Sequence, residues 1–300
     1  MKTLAAVPFV LLGFGSPVLA QSAQDGFYTN GYAEMSVFNN GSGSDVLGYS
    51  EATLGYSDAG SGFGVELGVD GLISEGEDAS AIYGAATYQS SFGKLSFGVP
   101  RAAIDAFLAK VPTPAGAVAL KIGQIGIYKR SYVSAAYLIG GGGTPVGLRY
   151  DGSFGAANVG ASYHSFENLD VFNLAANYAI GETTLTGAVE VVAANGSDDT
   201  RYFLGVESEV GPVTAGLLYT GNAFLSSGTA LEAYAKYKPV GQLELAATAL
   251  RIDTGSDTTT IYGATADYTF NKGLYVQGGV ADSFEASSDT LYNLALGLRF

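Results

Sequence analysis

The sequence has no cysteine, no tryptophan and a single histidine, His164. Without cysteine there is no disulfide framework, no thiolate metal site and no thiol nucleophile. One imidazole leaves few general bases and no histidine-rich zinc set. Basic residues are also scarce: 14 Lys and Arg against 28 Asp and Glu give a formal charge of −14. Proteins bind phosphate polymers through Lys and Arg that displace counterions, so no nucleic-acid partner is expected. Proline is rare, and beyond the amino terminus there is no unbroken apolar run long enough for a membrane helix. The longest uncharged stretches, 131–148 and 210–231, are interrupted by glycine, proline and hydroxyl residues. Neither would hold as a helix in lipid.

What the chain has instead is 43 Gly, 20 Tyr and 16 Phe, with only 14% charged residues. That is a poor composition for helices and a good one for strands and turns. Mean hydropathy is nevertheless +0.22, so the apolar residues must be distributed with a period other than that of a spanning helix.

Residues 1–20, MKTLAAVPFVLLGFGSPVLA, join Lys2 to an apolar stretch from Leu4 to Leu12, with Val18 and Ala20 at cleavage-site spacing. This reads as a secretory signal peptide cut after Ala20. Residues 21–300 would remain, with a charge of −15, since only Lys2 is lost. The alternative, an amino-terminal membrane anchor, meets an apolar stretch short of the roughly 20 residues a span needs.

The hydrophobic period is two. Tyr292, Leu294, Leu296, Leu298 and Phe300 alternate with Asn293, Ala295, Gly297 and Arg299. Phe63, Val65, Leu67 and Val69 alternate in the same way with Gly64, Glu66, Gly68 and Asp70. Segments of this kind fall near 27–38, 46–57, 63–72, 80–89, 94–99, 144–151, 156–166 and 171–180. They continue at 183–193, 200–209, 212–220, 229–238, 242–252, 258–270, 273–282 and 290–300. Tight turns such as 58–62, 90–93, 152–155 and 181–183 alternate with longer polar connections such as 39–45, 73–79, 195–199 and 221–228. Sixteen strands, apolar outside and polar inside, with one rim of turns and one of loops, predict an all-β, antiparallel, up-and-down transmembrane β-barrel. A soluble sandwich is disfavoured because charges such as Glu66 with Asp70 and Glu232 with Lys236 would run down an interior face. Sixteen strands enclose an aqueous lumen, so the pattern implies a channel.

One connection breaks the scheme. Residues 100–143 separate two strands, far above ordinary connection lengths. They open with Pro100-Arg101-Ala102-Ala103-Ile104-Asp105-Ala106-Phe107-Leu108-Ala109-Lys110, whose alanines favour a short helix after proline. Its apolar content predicts that this third long loop folds against the inner wall and narrows the lumen. The alternative is an extra hairpin over 121–128 and 131–139, giving eighteen strands.

The alternation places Glu34, Glu51, Glu66, Asp70, Lys94, Arg149, Arg201, Glu207, Glu232, Lys236, Asp267 and Arg299 inward. With Arg101, Asp105, Lys110 and Lys121 from the long loop, these are the candidate pore-lining and constriction residues. Opposed charges in a narrow section orient water and solutes and set ion selectivity. Tyr28, Tyr56, Phe63, Tyr88, Phe92, Phe154, Tyr178, Tyr237, Tyr268, Phe270, Leu274 and Phe300 fall near the turn-side strand ends, where an aromatic girdle meets headgroups. His164 falls on the inward face, which leaves no outward Ser–His–acid set for a barrel lipase, so no catalysis and no cofactor are expected. The acidic runs Glu75-Gly76-Glu77-Asp78 and Ser197-Asp198-Asp199 read as solvated loops, with calcium screening as the alternative.

Several runs give the chain a family resemblance: Ser91-Phe92-Gly93-Lys94-Leu95 before the long loop, Thr144-Pro145-Val146-Gly147-Leu148-Arg149-Tyr150 after it, and the tail through Gly278-Gly279-Val280-Ala281-Asp282 to Arg299-Phe300. It resembles the general porins of alphaproteobacteria. That resemblance implies an outer-membrane homotrimer with the third loop as constriction, surrounded by outer-membrane lipid and lipopolysaccharide. It also implies that Phe300 is the signal read by the barrel assembly machinery. The family's long loop is acidic, whereas here Asp105 stands against Arg101, Lys110, Lys121, Lys129 and Arg130, so cation selectivity at that loop does not carry over. A surface adhesin or a purely structural barrel is the alternative function.

Overall fold

Alternating large apolar and small or polar residues build sixteen strands in the computed structural model. They are β1 (Gly26–Asn39), β2 (Ser44–Ser57), β3 (Phe63–Ser74), β4 (Asp78–Ser90), β5 (Gly93–Val99), β6 (Val146–Phe154), β7 (Ala157–Phe166) and β8 (Leu169–Ile180). The second half comprises β9 (Thr183–Ala194), β10 (Ser197–Val210), β11 (Val213–Gly221), β12 (Thr229–Val240), β13 (Leu243–Asp253), β14 (Thr258–Thr269), β15 (Leu274–Ser283) and β16 (Leu291–Arg299). The structure describes residues 25–39, 43–74, 78–108, 111–117, 128–139, 143–166, 168–194, 196–223, 227–283 and 290–300. The expected signal peptide therefore lies outside the described residues.

Each strand runs antiparallel to its neighbours in sequence, and β1 pairs with β16 to close the barrel. The seam is completed by the last residue: Gly31 N donates to Phe300 O at 2.8 Å and Phe300 N donates to Gly31 O at 3.0 Å. Closure leaves no unpaired edge, which a sheet in lipid requires. The two faces of β3 show why the pattern demands it. Phe63, Val65, Leu67 and Val69 are exposed on the outside, whereas Asp70 is fully buried and Glu66 partly so, on the inside. Phe92, Phe154, Tyr178, Tyr237, Tyr268 and Phe270 are likewise exposed near the turn-side rim.

Three expectations change. The eighteen-strand alternative is overturned, because Tyr132–Ile139 is helical; residues 121–127 lie outside the described ones. We number the two helices of the long connection α1 (Ala103–Leu108) and α2 (Tyr132–Ile139). The β6 strand starts at Val146 rather than 144, because Pro145 has no N–H to give a ladder. Tyr28 leaves the girdle: its phase on β1 is inward, its hydroxyl donates to Glu66 Oε1 at 2.5 Å, and Phe27 takes the outward place.

Candidate pore site

The long connection enters the lumen at Pro100, whose carbonyl accepts a hydrogen bond from His164 Nε2 at 2.9 Å. The sole histidine thus holds the loop's entry. Ala103 N donates to Ser162 Oγ at 3.0 Å, and α1 lies on the inner faces of β7 and β8. Gly160 makes this approach possible, since a Cβ there would come within 2.7 Å of the Phe107 ring. Beneath α1, Ile104 and Leu108 pack with Phe203, Leu218 and Leu250 of the wall. The apolar loop residues therefore have a core of their own inside the barrel, where burial is favourable.

Arg101 leaves α1's start in the opposite direction. Its Nη1 lies 2.6 Å from Asp70 Oδ1 and 3.9 Å from Glu51 Oε1, and its Nη2 donates to Ala52 O at 3.1 Å. The guanidinium stacks over Tyr83, 4.3 Å from the ring centroid. Burial disfavours its charge, but the Asp70 and Glu51 carboxylates more than offset that and hold the guanidinium above its ordinary pKa.

The second pass of the loop is pinned by wall carboxylates. Glu190 of β9 accepts from Ser131 Oγ at 2.5 Å and Tyr132 N at 3.1 Å, which satisfies the amino-terminal end of α2. Arg201 of β10 secures Glu190 at 2.6 Å and donates to Arg130 O at 3.2 Å. Asp105 of α1 accepts from Ser131 N at 2.7 Å and from Ser134 Oγ, so the two helices are tied to each other. Further round, Tyr128 donates to Glu232 at 2.6 Å, and Thr220 donates to Tyr128 O at 2.6 Å. Finally, the 3-10 turn Pro114–Gly116 rests on β14 and β15. Gly279 permits this contact, for a Cβ there would lie 2.1 Å from Ala115 O. The described parts of the connection thus contact the wall on opposite sides of the barrel.

On the short-turn side of α1 lies a cavity of about 800 Å³. Lys94 meets Glu66 at 2.7 Å and Arg149 meets Asp151 at 2.7 Å. Lower pairs are Lys236 with Glu207 at 3.2 Å and Arg299 with Asp267 at 2.5 Å. Glu34, deeper on β1, accepts the Tyr275 hydroxyl.

The structure thus brings Arg101, Asp70 and Glu51 into one cluster and pairs Lys94 with Glu66. Arg149 sits one strand from Lys94 but pairs with Asp151 instead. Arg201 belongs to the loop anchor rather than to an open surface, being fully buried. Lys110 and Lys121 lie outside the described residues. Sequence reasoning missed Glu190 and Asp151, although both share the inward phase of their strands and the alternation was enough to find them. Tyr49, in phase with Glu51 on β2, and Tyr83, out of phase with the exposed Tyr88 on β4, were open to the same rule, whereas Tyr128 lies on no strand and carried no comparable signal. Among the described residues, no three His, Asp or Glu side chains gather as a metal site.

The profile of the Gram-negative porin family matches residues 5–286. A refined porin structure matches at 20% identity, covering 91% of this chain and all of that one, with a TM-score of 0.67. A multiple mutant of the Rhodopseudomonas blastica porin matches at 18% identity with the same coverage and TM-score, and a triple mutant of that porin at 19% with a TM-score of 0.66. A search of curated proteins finds no match.

Proposed function

The chain belongs to the Gram-negative porin family, outer-membrane barrels that form channels for passive diffusion, and from that premise we propose how solutes cross this one. Residues 100–143 form the constriction, and the diffusing solute passes between this loop and the charged arc of the wall. The observation that carries this reading is Arg101, held 2.6 Å from Asp70 across the lumen edge while α1 rests on β7 and β8. Arg101 and Asp105 supply the loop side. Lys94, Arg149, Glu34, Glu51, Glu66, Asp70, Arg201 and Asp267 supply or brace the wall. Because these charges are largely paired within the protein, the solutes are small and hydrophilic rather than of one sign.

Further parts of the reading rest on sequence. The chain is exported by a signal peptide cleaved after Ala20 and assembles as a homotrimer among outer-membrane lipid and lipopolysaccharide. Phe300, whose backbone completes the β1–β16 seam, is the residue recognised by the assembly machinery.

Liposomes carrying the protein should swell in small sugars but not in large ones, and absence of both swelling and conductance would reject the channel. Deleting residues 102–120 should raise single-channel conductance. Unchanged conductance from a folded barrel would place the loop outside the path.

A further inference from the structure

A lumen built only for water and ions is expected to be polar throughout. The cavity on the short-turn side of α1 is not. Phe107 and Val111 form part of its lining, half-buried, and pack against the buried cluster that includes Leu218 of β11. Phe107 is also firmly backed, because its ring lies against Gly160, where no side chain intervenes. An apolar surface facing water on a rigid support is characteristic of a contact site for something else.

The same cavity has a second, chemically opposite arc. Lys94 with Glu66 and Arg149 with Asp151 line it, and all four side chains are partly exposed. A solute of one charge gains from one member of each pair and is repelled by the other. A zwitterion can meet both signs at once. Asn158 and Asn177, joined by a hydrogen bond at 3.0 Å, add amide groups to the same lining.

We propose that this cavity is a subsite for apolar α-amino acids, with the ammonium and carboxylate against the two ion pairs and the side chain over Phe107 and Val111. The proposal rests on the channel reading, since the cavity borders the path it describes, and it narrows that reading from small hydrophilic solutes to a preferred class.

The test is solute block of ion current through the reconstituted protein, with phenylalanine and glycine compared within each variant. In the wild-type channel phenylalanine should half-block at a concentration about tenfold below that of glycine, the order of effect expected from covering part of a ring. Phe107→Ser should bring that ratio close to one. Equal half-blocking concentrations in the wild type, or a ratio unmoved by Phe107→Ser, would overturn the subsite. Should Phe107→Ser not insert, Val111→Ser and Phe107→Leu are read the same way, each expected to reduce the ratio. Phenylacetate and phenethylamine are the charge controls; if either blocks better than phenylalanine, the zwitterion assignment is wrong. Calorimetric titration of phenylalanine into the detergent-solubilised protein separates the two readings. Binding without conductance would leave the subsite and reject the channel, whereas conductance without binding would do the reverse.

Discussion

The zone crossed by the long connection and the vestibule near the short turns use the same chemical element, a base paired with a carboxylate, in different environments. Around the loop, Arg201 and Glu190 have no exposed side-chain surface, and Glu232 beside Tyr128 has none. In the vestibule, Lys94 and Glu66 are 30% and 23% exposed, and Lys238 with Glu244 at the rim are 61% and 32% exposed. Water screens the second kind and lets either partner stand alone at little cost. In the first kind each partner is trapped, so removing one strands the other in a medium of low polarizability. The contrast teaches that pairing alone says nothing of role: the buried pairs hold the loop against the wall, whereas the wet ones face the vestibule.

The largest effect is expected where the stranded charge is deepest. Arg201→Met leaves Glu190 buried with only its hydrogen bonds from Ser131, Tyr132 and Asn173. A loss of about 3–5 kcal/mol is expected, read as thermal unfolding in detergent by circular dichroism, together with larger open-channel current noise as α2 loses its anchor. Adding Glu190→Gln should recover most of the stability, since an uncharged acceptor remains for Tyr132 N. A single-variant loss below about 1 kcal/mol, the range of an exposed pair, would erase the distinction between the two zones.

A smaller loss tests whether the loop zone is uniform. Tyr128→Phe removes one hydroxyl from Glu232, which keeps Lys129 at 3.9 Å. About 1–3 kcal/mol is expected, the cost of an unsatisfied buried acceptor, with barrel closure unaffected. If the change is silent in both melting and conductance, this edge of the loop is not pinned through Glu232.

This contrast also marks what could be read from sequence. Strands were legible because a barrel in lipid must repeat apolar-out and polar-in on every strand, so Phe63 to Asp70 or Tyr292 to Arg299 carry the fold in their own alternation. The inward phase of Glu34, Glu51, Asp70 and Arg201 followed from the same rule. Tyr28 was misplaced because its closeness to a strand end was weighed above its phase, which on β1 is that of the inward Glu34, and its hydroxyl reaches Glu66. The course of residues 100–143 was legible as far as its inward folding, from Ile104, Phe107 and Leu108. Its helix at Tyr132–Ile139 was not: the residues that stabilise α2's start, Glu190 and Asp105, are distant in sequence, and an apolar uncharged stretch serves strand or helix equally.

The smallest structural effect, and the most direct probe of the wet zone, is Lys94→Gln. The pair it breaks is partly exposed, and Glu66 retains the Tyr28 hydroxyl, so stability should change by at most about 1 kcal/mol. Selectivity should respond more. The acidic excess of the chain sits at the rims, with Asp45, Asp78, Asp170, Asp198 and Asp257 exposed on the long-loop side. Entering ions therefore meet a negative potential that concentrates cations. Against this, Arg101, Arg149 and Lys94 lie near the loop, and the narrowest section has the strongest local say in selectivity. Since Arg101 and Arg149 are neutralised at 2.6 and 2.7 Å by Asp70 and Asp151, the rim should prevail and give a mild cation preference. Lys94→Gln uncovers one more carboxylate in the vestibule and should strengthen that preference in reversal potentials measured across a salt gradient. Both the preference and its increment should shrink as salt rises, because exposed charges are screened over roughly 8 Å at physiological ionic strength. Anion selectivity of the wild type at low salt would reverse the argument and assign control to Arg101, Arg149 and the loop lysines.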